Sequence, residues 1–500
     1  MFEIGFFKLC WAEDRYRYIS SLLKMDRNMN DTQTTSSPFA LNNIRMFIAF
    51  RIFFNARFYY PVFTILFLDF GLTISQFAIL NAVWAGTIVL MEVPSGALAD
   101  IWGRRNLLIL SSVLMILELL LLCFVPLGHP NLLFAIFLIN RVLSGIAEAA
   151  ASGADEAIAF DSLKEAGLAA EWSKVLAMQM RMRSIAFIFA MAVGAAVYDP
   201  AFMQRLLGWL GWQVSLTQDI TIRFPIYLTL VMAMFTLYST VRMTDSDSTL
   251  LNDECSAMET CGLTIREVLS QTLGAGKWIL QTPFAMVIIA AAFLFDSIIR
   301  MAGTLGSQYY RLIEFPEALF GIIGSGMALL GIIIPRLSMK MVEQHTPRFN
   351  LFVVSITTIV GLFGMTLFTP LYGLIPVVIL YSGSYMIGFF VSHYLNHITD
   401  SSKRATVLSF KGLFMNLSYG MFGLLYSLLI AMLRPGISEK QPDLVPQLLE
   451  NLVFIQSFQW FPWTFVIGLV IYLAFAKYKL GSSWVYQNTD AQQVKEGNTD

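Results

Sequence analysis

Gly96-Ala-Leu-Ala-Asp100-Ile-Trp-Gly103-Arg104-Arg105 lies between two long apolar runs. A charged side chain at the centre of a bilayer costs about 2.5–3.5 kcal/mol on insertion scales. Asp100, Arg104 and Arg105 therefore place this stretch at a membrane surface. Gly96 and Gly103 are expected to let two helices approach and reverse there.

The composition around it fits that reading. The chain has 500 residues, 56% of them hydrophobic and 13% charged. A soluble domain carries about a quarter charged residues. A net charge of -1 points to neither nucleic acid nor an anionic surface as a partner. Cys10, Cys123, Cys255 and Cys261 form no CxxC pair, and no His lies beside the last two, so neither a disulfide framework nor a zinc site is expected. Lys8, Glu13, Asp14, Arg15 and Arg17 interrupt any secretory signal at the N-terminus.

A spanning helix needs about 20 mainly apolar residues. Twelve such spans are expected, near 45–68, 76–98, 106–126, 132–157, 180–198, 222–242, 281–305, 317–338, 349–369, 373–395, 406–432 and 453–476. The loops test the number. With both termini cytoplasmic, and charges near the ends of spans counted with the adjoining loop, 24 of the 33 Lys and Arg fall inside and five outside (Arg205, Arg223, Arg311, Arg434 and Lys440), as the positive-inside rule requires. The chain divides into an N-terminal extension 1–43, a six-helix bundle 44–242, a polar linker 243–279, a second six-helix bundle 280–476 and a tail 477–500. Arg336-Leu-Ser-Met-Lys340 occupies the place between helices eight and nine that the opening stretch occupies between helices two and three. It reads as a decayed repeat, and two parallel six-helix repeats are a recurring transporter plan.

The pattern Gly96-x-Leu98-x-Asp100-x-x-Gly103-Arg104-Arg105 resembles the loop signature of the major facilitator superfamily, with Ile101 at a usually basic position. The resemblance is to a bacterial-type twelve-helix member. It implies an all-α integral membrane protein of two pseudo-symmetric six-helix bundles in the cell (inner) membrane. It further implies a monomer that carries a small-molecule solute, coupled to protons, by alternating access. In that family the loop is a cytoplasmic gate. The N-terminus of the helix after Ser401-Ser-Lys-Arg-Ala-Thr406 is the expected partner of Asp100, whose charge suits the positive end of a helix dipole. A plain surface turn is the simpler alternative.

Arg141, Gly145, Glu148, Ser152 and Asp155 fall on one stripe of helix four at 100° per residue. Arg141-x-x-x-Gly145 resembles the family's helix-four signature, which implies an Arg in the central cavity. Arg141 must meet water or a carboxylate at that depth, and Glu148 is close enough to share a wet channel. Arg51 and Asn55 share a face of helix one, while Arg57 points about 120° away. A substrate anion on Arg51 or Arg57, and pairing of either with Glu92 or Glu118, are equally weighted. Asp296 and Arg300 form an i,i+4 pair of opposite sign, read first as self-pairing and second as a proton-carrying Asp. Asp155, Glu156 and Asp161 read as gate residues. His393 and His397 read as solvated rather than metal-bound.

No nucleophile triad, P-loop or dinucleotide fingerprint is present, so no enzyme activity, cofactor or resident metal is expected. Four arginines within spans favour an anionic or zwitterionic solute. Efflux of amphipathic compounds through Met-rich, aromatic walls is the alternative. Ala190-Met-Ala-Val-Gly194 lacks the Gly-Pro element of the drug/proton antiporter branches, which counts against it. A transporter-like solute sensor is the third possibility.

Overall fold

A computed structural model describes residues 37–126, 128–245, 274, 276–399 and 401–481, without the side chains of residues 97, 100, 101, 401–406 and 409. In the first half the helices are α1 (Asn42–Asn55), α2 (Phe63–Asp69), α3 (Ile74–Trp102), α4 (Arg104–Cys123), α5 (Pro130–Ala151), α6 (Ala154–Glu165), α7 (Trp172–Tyr198), α8 (Pro200–Trp209) and α9 (Phe224–Val241). In the second half they are α10 (Pro283–Thr304), α11 (Gly306–Leu312), α12 (Phe320–Gln344), α13 (Pro347–Met365), α14 (Leu374–Ile398), α15 (Ser401–Lys440), α16 (Pro446–Phe458) and α17 (Trp460–Leu480). Helices satisfy every internal backbone donor and acceptor within the segment, which hydrocarbon demands.

Among the described residues eleven helical stretches are long and apolar enough to cross a membrane. The twelfth crossing is the first, and it is broken. α1 ends at Asn55, and Arg57 to Tyr59 lie between it and a short 3-10 turn, Tyr60–Val62, that leads into α2. Pro61 supplies one reason, since it has no N–H for a continuous ladder. The 120° separation expected between Arg51 and Arg57 assumed one unbroken helix and does not apply.

The turn that opens the sequence is shorter than expected. α3 continues through Asp100 to Trp102, and the chain reverses at Gly103 alone, with φ of +84°. A Cβ on Gly103 would also lie 2.6 Å from Asp245 Oδ2. Gly96 sits inside α3, and a Cβ there would meet no described residue within 4 Å. Among the described residues it makes no close helix approach, contrary to the expectation for it.

The two halves meet along α3 and α15 and along α7 and α12. α7 and α12 touch near one end: a Cβ on Gly321 would lie 1.9 Å from the Met191 carbonyl oxygen. Ser325 Oγ lies 3.5 Å from the Ile188 carbonyl. Further toward the Gly103 face, Arg181, Arg183 and Ser184 on α7 and Arg336 and Leu337 on α12 are exposed. The close contact of α7 and α12 is therefore placed near the Gly321 end of the pair.

Candidate functional site

Among the described residues, side-chain hydrogen bonds between the halves cluster on the face opposite Gly103. Arg311, in the last turn of α11 in the second half, donates from Nη1 and Nη2 to the two carboxylate oxygens of Asp69 at 2.7 and 2.6 Å. Tyr198 Oη donates to Asp69 Oδ2 at 2.5 Å, and Arg311 Nε donates to Glu317 Oε1 at 2.8 Å. Burial on its own pushes the Arg311 guanidinium down, but the hydrogen bonds and charge of Asp69 outweigh it and hold the group above its ordinary value. Beside this cluster Thr64 N donates to Ser307 Oγ at 2.9 Å and Ile74 N to Glu450 Oε2 at 3.1 Å.

Beneath that seal lies a cavity of about 270 Å³. Its walls come from both halves: Tyr59 and Tyr60 from the break in the first crossing, Trp84 from α3, Arg141, Ser144 and Glu148 from α5, Arg300 from α10 and Tyr419 from α15. A second cavity, about 460 Å³, shares Trp84 and Glu148 with the first. It runs on past Arg51, Asn55, Ser152, Gly153 and Glu156, with Asn416 from the second half. Glu148 thus stands at the junction of the two.

Arg141 is 4% exposed. Its Nε donates to Asn140 Oδ1 at 3.0 Å, and its guanidinium lies 5.4 and 5.3 Å from the ring centres of Phe63 and Phe67. Its Nη2 has no hydrogen-bond partner among the described residues. A buried unpaired donor on a cation is costly, and a cation over an aromatic face recovers about 0.5–2 kcal/mol of that cost. Gly145, one turn on, lets α5 close on α3: a Cβ there would lie 2.7 Å from Thr87 Cβ. Glu148 makes no side-chain hydrogen bond or ion pair with any described residue. Helix four does not continue through the predicted stripe. It breaks at Ser152 and the left-handed Gly153, φ +78°, and Asp155 belongs to α6.

Of the other candidate arginines, Arg51, Arg57 and Arg300 are paired. Arg57, 3% exposed, meets Glu118 at 2.5 Å and donates to the Phe54 carbonyl at 3.2 Å. Arg51 pairs with Asp155 and, at 2.8 Å, with Glu156, rather than with Glu92 or Glu118. Asn55 donates to the Arg51 carbonyl at 2.8 Å. Arg57 thus follows the pairing alternative, and Arg51 takes the α6 acids that the sequence reading assigned to the gate. Arg300 pairs with Asp296 at 2.6 Å, as the self-pairing reading has it. It also donates to Asn416 Oδ1 at 3.1 Å and lies 5.3 Å from the Tyr419 ring centre.

At the Gly103 turn Arg104 pairs with Asp161, Arg105 N donates to Asp245 Oδ1 at 2.9 Å, and Arg105 Nη2 donates to the Val241 carbonyl at 2.9 Å. All of these tie the turn to its own half or to the start of the linker that follows it. The Asp100 side chain and those of Ser401 to Thr406 lie outside the described residues, as does most of the predicted linker, 246–273. Sequence reading passed over Asp69, Tyr198 and Arg311. Their signal is positional: Asp69 ends the first span of one half, and Arg311 follows the first span of the other, with opposite sign.

Comparison with known proteins follows the same lines. No curated protein matches the chain. Among solved structures, a single-residue mutant of the nucleoside transporter NupG superposes with a TM-score of 0.63 at 13% identity, covering 87% of this chain and 100% of its own. A bacterial homologue of the human lysosomal transporter Spinster, inward-facing and occupied, gives 0.61 at 15% identity, with 89% and 97% covered. A D-xylose-proton symporter gives 0.54 at 12%, with 85% and 97% covered. The family model described as Major Facilitator Superfamily matches residues 45–424. With twelve crossings in two six-helix halves around a shared cavity, and that match over most of its length, this chain belongs to the major facilitator superfamily of membrane transporters.

Proposed function

We propose that this transporter moves a small anionic or zwitterionic solute, coupled to protons, by opening the cavity between its halves to one face and then the other. The observation that carries the reading is Arg141: a buried cation with a free Nη2 on the wall of a chamber to which both halves contribute. The lining holds two cations, Arg141 and Arg300, against one carboxylate, Glu148. Asp296 already occupies Arg300, which leaves Arg141 as the anchor for an anion and Glu148 as the group able to take a proton or a substrate amine. A volume of about 270 Å³ suits a small solute rather than a peptide.

The cavity leads toward the Gly103 face, while Asp69 and Arg311 close the other. With both termini cytoplasmic, as the distribution of Lys and Arg supports, this is an inward-facing arrangement in the cell (inner) membrane. The gate at the cytoplasmic face then comprises Gly96, Asp100, Gly103, Arg104 and Arg105, and the chain works as a monomer. Uptake into proteoliposomes with an imposed pH gradient, screened across organic anions, amino acids and nucleosides, tests the proposal. Accumulation of an acid that collapses with the gradient is the expected result. Uptake only of lipophilic cations, indifferent to Arg141→Gln, would replace it with efflux of amphipathic compounds.

A further inference from the structure

We propose that the groove between α13 and α17 binds one anionic phospholipid of the leaflet on the Gly103 face. The groove has a volume of about 620 Å³ and is separate from the transport cavity. Its mouth carries Arg348, in the first turn of α13, and Lys477, in the last turn of α17. The two helices run in opposite directions, so both cations lie at the same depth. Its walls are apolar, with Ile356 and Ile359 on one side and Leu469 and Leu473 on the other.

Charge and dimension both match a phospholipid. Arg348 and Lys477 are exposed, and neither side chain makes a hydrogen bond or ion pair with a described residue. Glu343, the nearest acid in sequence to Arg348, lies on α12 and does not line the groove. Two unneutralised cations at the polar boundary of a membrane attract an anionic headgroup. From Arg348 to Ile359 the helix rises about 16 Å at 1.5 Å per residue. That is about half of a 30 Å hydrocarbon core, the depth one acyl chain of one leaflet occupies. Tyr478, 82% exposed beside Lys479, fits the same interfacial level. The positive-inside rule accounts for basic residues on this face, and the further observation is that two of them flank one apolar trough.

The full chain is reconstituted in phosphatidylcholine nanodiscs, and phosphatidylglycerol is titrated in. Native mass spectrometry counts retained lipid, and the thermal unfolding midpoint reports its effect. The wild type is expected to retain one phosphatidylglycerol and to gain stability from it. Each basic side chain near an anionic surface contributes about fivefold, so Arg348→Gln with Lys477→Gln should weaken retention roughly thirtyfold. The charge-keeping pair Arg348→Lys and Lys477→Arg should retain the lipid. Ile359→Trp, which fills the deep end while leaving both charges, should expel it. The proposal is overturned if phosphatidylcholine is retained equally, or if soluble glycerol phosphate competes as well as the lipid. It is equally overturned if removing two charges elsewhere on that face, Lys164→Gln with Arg242→Gln, has the same effect. Unchanged retention in the Arg348/Lys477 variant would show that something other than an anionic lipid fills the groove.

Discussion

Asp69 and Arg311 face each other across the boundary between the two halves, joined by two hydrogen bonds of 2.7 and 2.6 Å. Both side chains are largely buried, Asp69 at 8% and Arg311 at 21% exposed. A forked pair in this setting is directional and resists water. It is also breakable as a unit, which a sliding hydrophobic contact is not. We read it as the latch that holds one face shut while the other is open.

Asp69→Asn should therefore shift the balance toward opening of the latched face. Hydrogen bonds to charged groups contribute about 1.5–3 kcal/mol, so a shift of roughly ten- to hundredfold is expected. Spin labels placed on either side of the latch should report a longer distance in the variant. The exchanged pair Asp69→Arg with Arg311→Asp should bring the distance back. An unchanged distance distribution in Asp69→Asn would remove the latch from the mechanism.

The Arg57–Glu118 pair predicts something different. Its members are 3% and 1% exposed and both belong to the first half. Removing one partner strands a buried charge, which costs about 3–5 kcal/mol. Glu118→Ala should lower the unfolding midpoint sharply. Arg57→Met with Glu118→Leu should recover most of the loss. If the double variant is stable but no longer binds solute, Arg57 contacts substrate after all and its structural role is secondary.

Coupling separates Glu148 from Asp296. Asp296 is held by Arg300 at 2.6 Å, whereas Glu148 has no ion-pair partner among the described residues and stands where the two cavities join. A proton carrier must release and rebind, so the unheld carboxylate is the better placed of the two. Glu148→Gln should leave solute exchange intact and abolish accumulation driven by a pH gradient. Asp296→Asn should weaken solute binding through a mobile Arg300 while leaving gradient dependence in place. The opposite assignment of phenotypes would exchange their roles.

The legible part of this molecule was set by solvent. Hydrocarbon forces apolar spans and surface charges, so the crossings, the halves and the Gly103 turn could be read from the order of residues. The helix-four resemblance implied an Arg in the central cavity, and Arg141 does line the cavity shared by the halves. What was not legible depended on long-range pairing. Nothing local tells Arg57 from Arg51, and only the fold brings Glu118 to one and Asp155 with Glu156 to the other. The break in the first crossing was signalled by Pro61 but hidden by the apolar run that continues through it. Gly96 misled because a glycine in a motif reads as a contact, and here no described residue lies within 4 Å of a Cβ built on it.

Ser144 lines the shared cavity and offers the most direct test of alternating access. In a chain otherwise free of cysteine, Ser144→Cys is labelled with a membrane-impermeant maleimide applied separately to each face of oriented vesicles. Labelling from the Gly103 face is expected at rest, and labelling from the opposite face should rise when Asp69→Asn is added. A residue that reacts from only one face in both backgrounds, while solute still crosses, would contradict the mechanism.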